Sequence, residues 1–211
     1  MKTSIKNLFA ALLTVAISAS APAFVNAKEA KKVTVISEVK KFNKLNISGN
    51  VEVILVQNQN QSVQVYDNYY AKNALIQEKN GELRISSFDK ETLTVVVYAN
   101  QLNEITVNDN ATIKTSGKFK ALSLAVNLKD NAKATLNTNT VDLFTTVNGQ
   151  ATLTLSGSTT DYNAVIGSIG ALNMDKFAAE NSSIQSKNTA VAQKQAVSNA
   201  LPTGDDALTI F

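Results

Sequence analysis

The 211-residue sequence contains no cysteine, no histidine and no tryptophan, and aromatic residues make up only 6% of it. Without cysteine there is no disulfide, so the core must supply stability unaided. The cysteine that anchors a bacterial lipoprotein directly after its signal is missing too. Without histidine the chain lacks the usual general base, the Ser-His-Asp triad and the commonest zinc ligand. The only arginine is Arg84, which argues against a site that grips acidic sugars. "SGSTT", Ser156 to Thr160, lacks the lysine and helix start of a phosphate-binding loop. These absences lead to the expectation of a non-enzyme with no cofactor and no metal.

What is present points elsewhere. Hydrophobic residues are 44% of the chain, an ordinary globular value, and the abundance of Val, Ile, Leu, Thr and Asn favours strands joined by tight turns. "MKTSIKNLFAALLTVAISASAPAFVNA" has Lys2 and Lys6, an apolar run from Leu8 to Ile17, then small residues ending in Val25-Asn26-Ala27. That order reads as a cleaved secretory signal over residues 1–27, and the run is too short for a stop-transfer helix. A leader over 28–40 and a folded domain over 41–211 are expected to follow, with 176–204 less regular. Removing the two signal lysines leaves 18 basic against 17 acidic residues, a net charge of +1. The densest lysine cluster, Lys28 to Lys44, reads as a solvated leader, so no nucleic-acid partner is expected.

The main internal signal is a repeat. Ala111, Ala132, Ala151, Ala171, Ala190 and Ala207 are separated by 21, 19, 20, 19 and 17 residues, and each follows a polar or glycine turn. Alternation such as Ile105/Val107 and Leu153/Leu155 has the strand period of two. "KLNISGNVEV", Lys44 to Val53, fits the same template with Val51 in the alanine slot. This spacing predicts an all-β, right-handed single-stranded β-helix with coils of about twenty residues. Ile105, Val107, Leu124, Val126, Val147, Leu153, Leu155 and Ile166 should point inward. Asn50, Asn110, Ala111, Asn131, Ala132, Gly149, Ala151, Gly170 and Ala171 are expected at the corners. Asn, Asp and Gly tolerate left-handed backbone there, and a small alanine avoids a clash between coils.

Upstream, Asn80-Gly81 between two β-type runs predicts a hairpin, placed as a cap on the solenoid's first coil. Tyr66, Tyr69 and Tyr70 form the candidate ligand contact, since tyrosine suits half-wet interfaces; packing as part of the cap is the competing assignment. Asp109 and Asp130 should stack on neighbouring coils. They could serve as a carboxylate pair or as calcium ligands, but calcium wants six or more oxygens, and a corner role explains them more simply.

"KFNKLNISGNVEVILVQ", "NGELRIS" and "LTVVVYANQLNEITVNDNATI" together resemble the head GIN domain family, found mostly in Bacteroidetes and described as "putative auto-transporter adhesins". The resemblance covers roughly residues 40–175. The family's Ser-Gly corners are replaced here by "NDN", "KDN" and "NGQ". It implies a secreted or surface-exposed β-solenoid. The leading functional expectation is therefore a non-catalytic periplasmic or surface module that binds a glycan or envelope protein. A structural component that self-associates into homo-oligomers through solenoid ends ranks second, and a carbohydrate-active enzyme third.

Overall fold

The computed structural model describes residues 33–36, 39–66, 74–167 and 169–187, all within one compact unit, Val33–Phe211. Among these residues thirteen strands follow one another: β1 (Val33–Ile36), β2 (Lys44–Gly49), β3 (Val51–Gln57), β4 (Ser62–Tyr66), β5 (Leu75–Lys79), β6 (Glu82–Ser87), β7 (Leu93–Ala99), β8 (Glu104–Val107), β9 (Thr112–Thr115), β10 (Phe119–Leu128), β11 (Lys133–Val147), β12 (Thr152–Ile166) and β13 (Ala171–Ser186). No helix occurs among the described residues, so none there is long and apolar enough to cross a membrane.

All thirteen strands belong to one sheet of mixed orientation, curled into an open half-barrel. The expected right-handed single-stranded β-helix is therefore incorrect. β1 pairs antiparallel with β4, β4 with β7, and β5 with β6. Parallel neighbours in the first half are also far apart in sequence: Lys44 of β2 faces both Glu82 of β6 and Glu104 of β8. A sequence period reports where similar strands recur along the chain. It carries no information on the polarity with which distant segments pair, nor on whether a curled sheet closes.

From β8 onward the pairing is parallel and nearly regular. Val107 lies beside Leu128, Leu128 beside Val147, and Val147 beside Ile166. The pairing of β11 changes partner midway, from β9 over Lys133–Thr135 to β10 over Thr138–Val147, which divides β11, β12 and β13 into two limbs. Their first limb stacks with β3 and β9, and their second with β2, β8 and the end of β10. Alternate residues of both limbs turn inward, as the strand pleat requires. Leu45, Ile47, Val53, Leu55, Ile105, Val107, Ile113, Leu124, Val126, Val147, Leu153 and Leu155 are buried in one cluster, while Ile166 is only half-buried.

The corners differ in detail from the sequence reading. Ala111, Ala132 and Ala151 are fully buried and level with one another, since Lys133 pairs with Thr112 and Thr152. Val51 is level with Ala111, because Glu52 pairs with Thr112. Ala171, however, pairs with Thr152 and is exposed, so Gly170 occupies the next place in the column. A Cβ on Gly170 would come to 2.8 Å from the Val147 carbonyl oxygen, which explains a glycine there. The left-handed residues are Asp109 (φ 59°), Asp130 (φ 60°) and Gly149 (φ 67°), not Asn110 and Asn131. Ala190 and Ala207 lie outside the described residues. The described part of segment 176–204, up to Ser186, is strand β13.

Candidate binding groove

Four chain segments meet at one end of the sheet: residues 39–43 before β2, 58–61 after β3, the Asn80-Gly81 turn between β5 and β6, and 100–103 after β7. Asn80 (φ 55°) and Gly81 (φ 77°) both take positive φ, as a two-residue hairpin turn of the mirror-image type demands. The Gly81 carbonyl accepts from the Asn43 and Lys44 amides (2.9 and 3.1 Å), the Asn43 carbonyl from Asn103 N (2.7 Å), and the Ala99 carbonyl from Asn58 N (3.0 Å). Gln61 clamps the entering chain: its Oε1 accepts from Phe42 N (3.0 Å) and its Nε2 donates to Phe42 O (2.8 Å). The Phe42 ring is buried beneath.

Between these segments lies a groove of about 710 Å³. Among the described residues eleven line it, and seven of these carry side-chain amides: Asn43, Gln59, Asn60, Gln61, Asn80, Asn100 and Gln101; the one charged residue among the eleven is Lys41. Of the seven, Asn43, Gln59, Asn60, Asn80, Asn100 and Gln101 are exposed. Each amide offers two donors and one two-lone-pair acceptor, so the lining can match a ligand rich in hydroxyls without a net charge. A second groove of about 390 Å³ shares Asn100 and Gln101 and continues past Gln57 and Asn139 to Leu122 and Val141. Leu122 and Val141 are exposed apolar residues. Gln57 is held by the protein, donating to Asn100 O (3.0 Å) and Lys120 O (2.8 Å) and accepting from Lys120 N (3.0 Å).

The sequence reading did not identify this groove. Its signal was the run "QNQNQ", Gln57 to Gln61, which taken alone reads as a polar loop. Of the three tyrosines of the candidate ligand contact, one falls among the described residues. Tyr69 and Tyr70 lie outside them, and Tyr66 is a half-buried residue of β4 whose hydroxyl is 3.4 Å from Gln64 Oε1.

The corner side chains are spent on the fold. Asp109 Oδ2 accepts from Gly49 N (2.9 Å) and Asp130 Oδ2 from Asp109 N (3.3 Å), so each carboxylate caps the preceding rung's turn. Asn131 Nδ2 donates to Asn110 Oδ1 (3.1 Å). Asn50 donates to the carbonyls of Asp89 and Lys90 and accepts from Thr92 Oγ1, pinning the loop before β7. Among the described residues no three Asp or Glu side chains gather to hold a metal. Arg84 is committed to Glu82 (Nη2–Oε2 2.7 Å), and Asn46 donates to the other oxygen (2.8 Å). These bonds hold the Glu82 carboxyl below its ordinary value, Arg84 contributing most. Tyr162 is buried against Phe177 (ring centroids 5.4 Å, edge-on) with its hydroxyl 2.9 Å from Thr145 Oγ1, and burial raises its pKa.

Residues 41–199 match the family model described as "Putative auto-transporter adhesin, head GIN domain". No curated protein matches the chain. Crystal structures described as putative adhesins from Parabacteroides merdae (TM-score 0.55) and Parabacteroides distasonis (0.56) are each 16% identical, covering 74% of this chain and 77% of theirs. A structure described as a putative lipid binding protein from Parabacteroides distasonis is 12% identical, with a TM-score of 0.51 over 74% of this chain and 78% of its own. At these identities the likeness is one of fold.

Proposed function

This chain belongs to the head GIN domain family of putative auto-transporter adhesins, and on that premise we propose that it is a non-catalytic binding module for a neutral glycan. The amide-lined groove at the Asn80-Gly81 end of the sheet carries this reading. An uncharged, hydroxyl-rich ligand satisfies amide donors and acceptors in pairs, and the buried Phe42 fixes the floor of the site. The Asp109 and Asp130 carboxylates, engaged with backbone amides, are not placed for acid–base work on a sugar. Residues 1–27 serve as a cleaved export signal, delivering the module to the periplasm or cell surface, where such ligands occur.

The test is a glycan array followed by calorimetry on the best ligand. Asn100→Ala/Gln101→Ala should weaken binding at least about ten-fold, roughly 1.4 kcal/mol, at unchanged thermal stability. Binding that ignores this double substitution, or an array on which only charged polysaccharides register, would refute the assignment.

A further inference from the structure

β13 is the longest strand, at sixteen residues, and among the described residues its one neighbour is β12. Among the described residues no strand pairs with its other edge, a row of peptide groups of the kind that recruits another strand. Ala171 N donates to Ala151 O (2.9 Å) and Lys187 N to Ile166 O (2.8 Å). Peptide groups alternate in direction along a strand. The groups of Leu172 and Met174 in the first limb, and of Ser182 and Ile184 in the second, therefore face the open edge. The inner face is unfinished there as well. Leu172, Met174, Phe177 and Ala179 are half-buried against the core, and Ile184 is 48% exposed.

We propose that this edge is a homodimer interface, in which two copies of the chain pair their β13 strands antiparallel about a two-fold axis at Ala178. The pattern of faces along β13 sets this register. Pairing with β12 sets Leu172, Phe177, Ala179, Ser182 and Ile184 on the inner face, opposite Leu153, Gly157, Thr159, Tyr162 and Ala164. Strict alternation fails twice, at Asp175-Lys176, where β13 carries one extra residue against β12 between Asn173 and Lys176, and at Glu180-Asn181, where the register with β12 is kept; these two places are equidistant from Ala178. Antiparallel pairing centred on Ala178 brings Phe177 to Ala179, Met174 to Ser182 and Leu172 to Ile184, inner face to inner face. Lys176 meets Glu180 and Asp175 meets Asn181 on the outer face. A shift of the centre by one residue mixes the faces, which sheet pairing does not tolerate.

The pairing is also complementary in charge. Lys176 and Glu180 form two equivalent cross-strand ion pairs, a favourable combination for residues directly opposite. The two half-barrels then share one continuous core. Since the contact is isologous, it closes at two copies. This inference stands apart from the glycan reading: the groove is built from segments before β8, and β13 contributes nothing to it.

The cysteine-free sequence makes a direct test available in the full chain. Ala178→Cys, an exposed position, should cross-link to itself under mild oxidation. Asn173→Cys should not, because its partner is Ser183, and two copies of residue 173 stand ten residues apart, about 33 Å along the strand. Sedimentation should give a concentration-dependent monomer–dimer equilibrium. Lys176→Glu, which opposes two carboxylates, should weaken it at least ten-fold, and Lys176→Glu/Glu180→Lys should restore it. Equal cross-linking of both cysteine variants, growth into open-ended assemblies, or failure of the double swap to recover dimers would overturn the proposal. So would a strict monomer whose β13 amides are protected from hydrogen exchange at every concentration, since the chain would then be covering this edge itself.

Discussion

Gly149→Ala tests whether the corner column is held by close approach of stacked rungs. Gly149 has φ +67°, and a Cβ there would stand 2.8, 2.9 and 3.0 Å from the carbonyl oxygen, amide nitrogen and Cα of Asp130 on the neighbouring rung. Gly117 is the control: its φ is +87°, but nothing lies within 4 Å of an added Cβ. Both substitutions incur the left-handed penalty of an L-residue, about 1–2 kcal/mol. Gly149→Ala must in addition push backbone against backbone. The Asp130 amide side is tied through its carboxylate to Asp109 N and through Asp109 to Gly49 N, so the turn cannot retreat without loosening that chain of caps. Overpacking of this kind costs about 1–3 kcal/mol. Gly149→Ala should therefore destabilise the protein by about 3 kcal/mol, and Gly117→Ala by no more than about 2 kcal/mol. Urea unfolding followed by far-UV circular dichroism measures both. Equal losses would mean that the rungs do not constrain one another at this corner.

Three further outcomes are expected. Tyr162→Phe should cost about 1–2 kcal/mol by leaving the buried Thr145 hydroxyl without its partner, whereas Tyr162→Phe/Thr145→Val should recover most of the loss; a thermal denaturation series checks this. Alkaline absorbance titration should show the Tyr162 phenol ionising above the ordinary tyrosine value of 10.0. The Tyr162 pKa is raised in the folded state, so its stabilising effect is complete below the ordinary value of 10.0 and is lost as pH climbs through the folded value. Glu82→Gln should cost less than about 1 kcal/mol at neutral pH, as the Arg84 partner is half exposed. Because the Glu82 carboxyl is depressed in the folded state, its contribution is present above the ordinary value of 4.5 and vanishes as pH falls through the lower folded value. A wild-type-minus-variant difference that persisted at the acid end would exclude the ion pair as its source.

What the sequence determined by itself was local. The period-two alternation of Ile105/Val107 and Leu153/Leu155 identified buried strand faces, because alternate side chains of a pleat share one side whatever the partner strand. Asn80-Gly81 located a hairpin, since few dipeptides accept two positive φ angles in succession. The repeat placed Ala111, Ala132 and Ala151 at one level, where all three are fully buried. The same repeat missed by one residue at Gly170, because the stacked interval there is nineteen residues, as between Ala132 and Ala151, whereas the alanine pattern counts twenty to Ala171.

Tertiary structure decided the rest. Whether β4 and β5 run with or against their neighbours depends on contacts between strands distant in sequence, and no periodicity records polarity. The result is a curled open sheet of mixed orientation in place of the parallel helix that the spacing suggested. The groove is of the same kind. Asn43, Gln59, Asn80 and Gln101 belong to four separate segments and become one amide surface only when β2, β3, β6 and β7 bring their ends together. Strand chemistry is written in adjacent residues, whereas a site is written in which strands meet, and that is settled by the packing of the whole sheet.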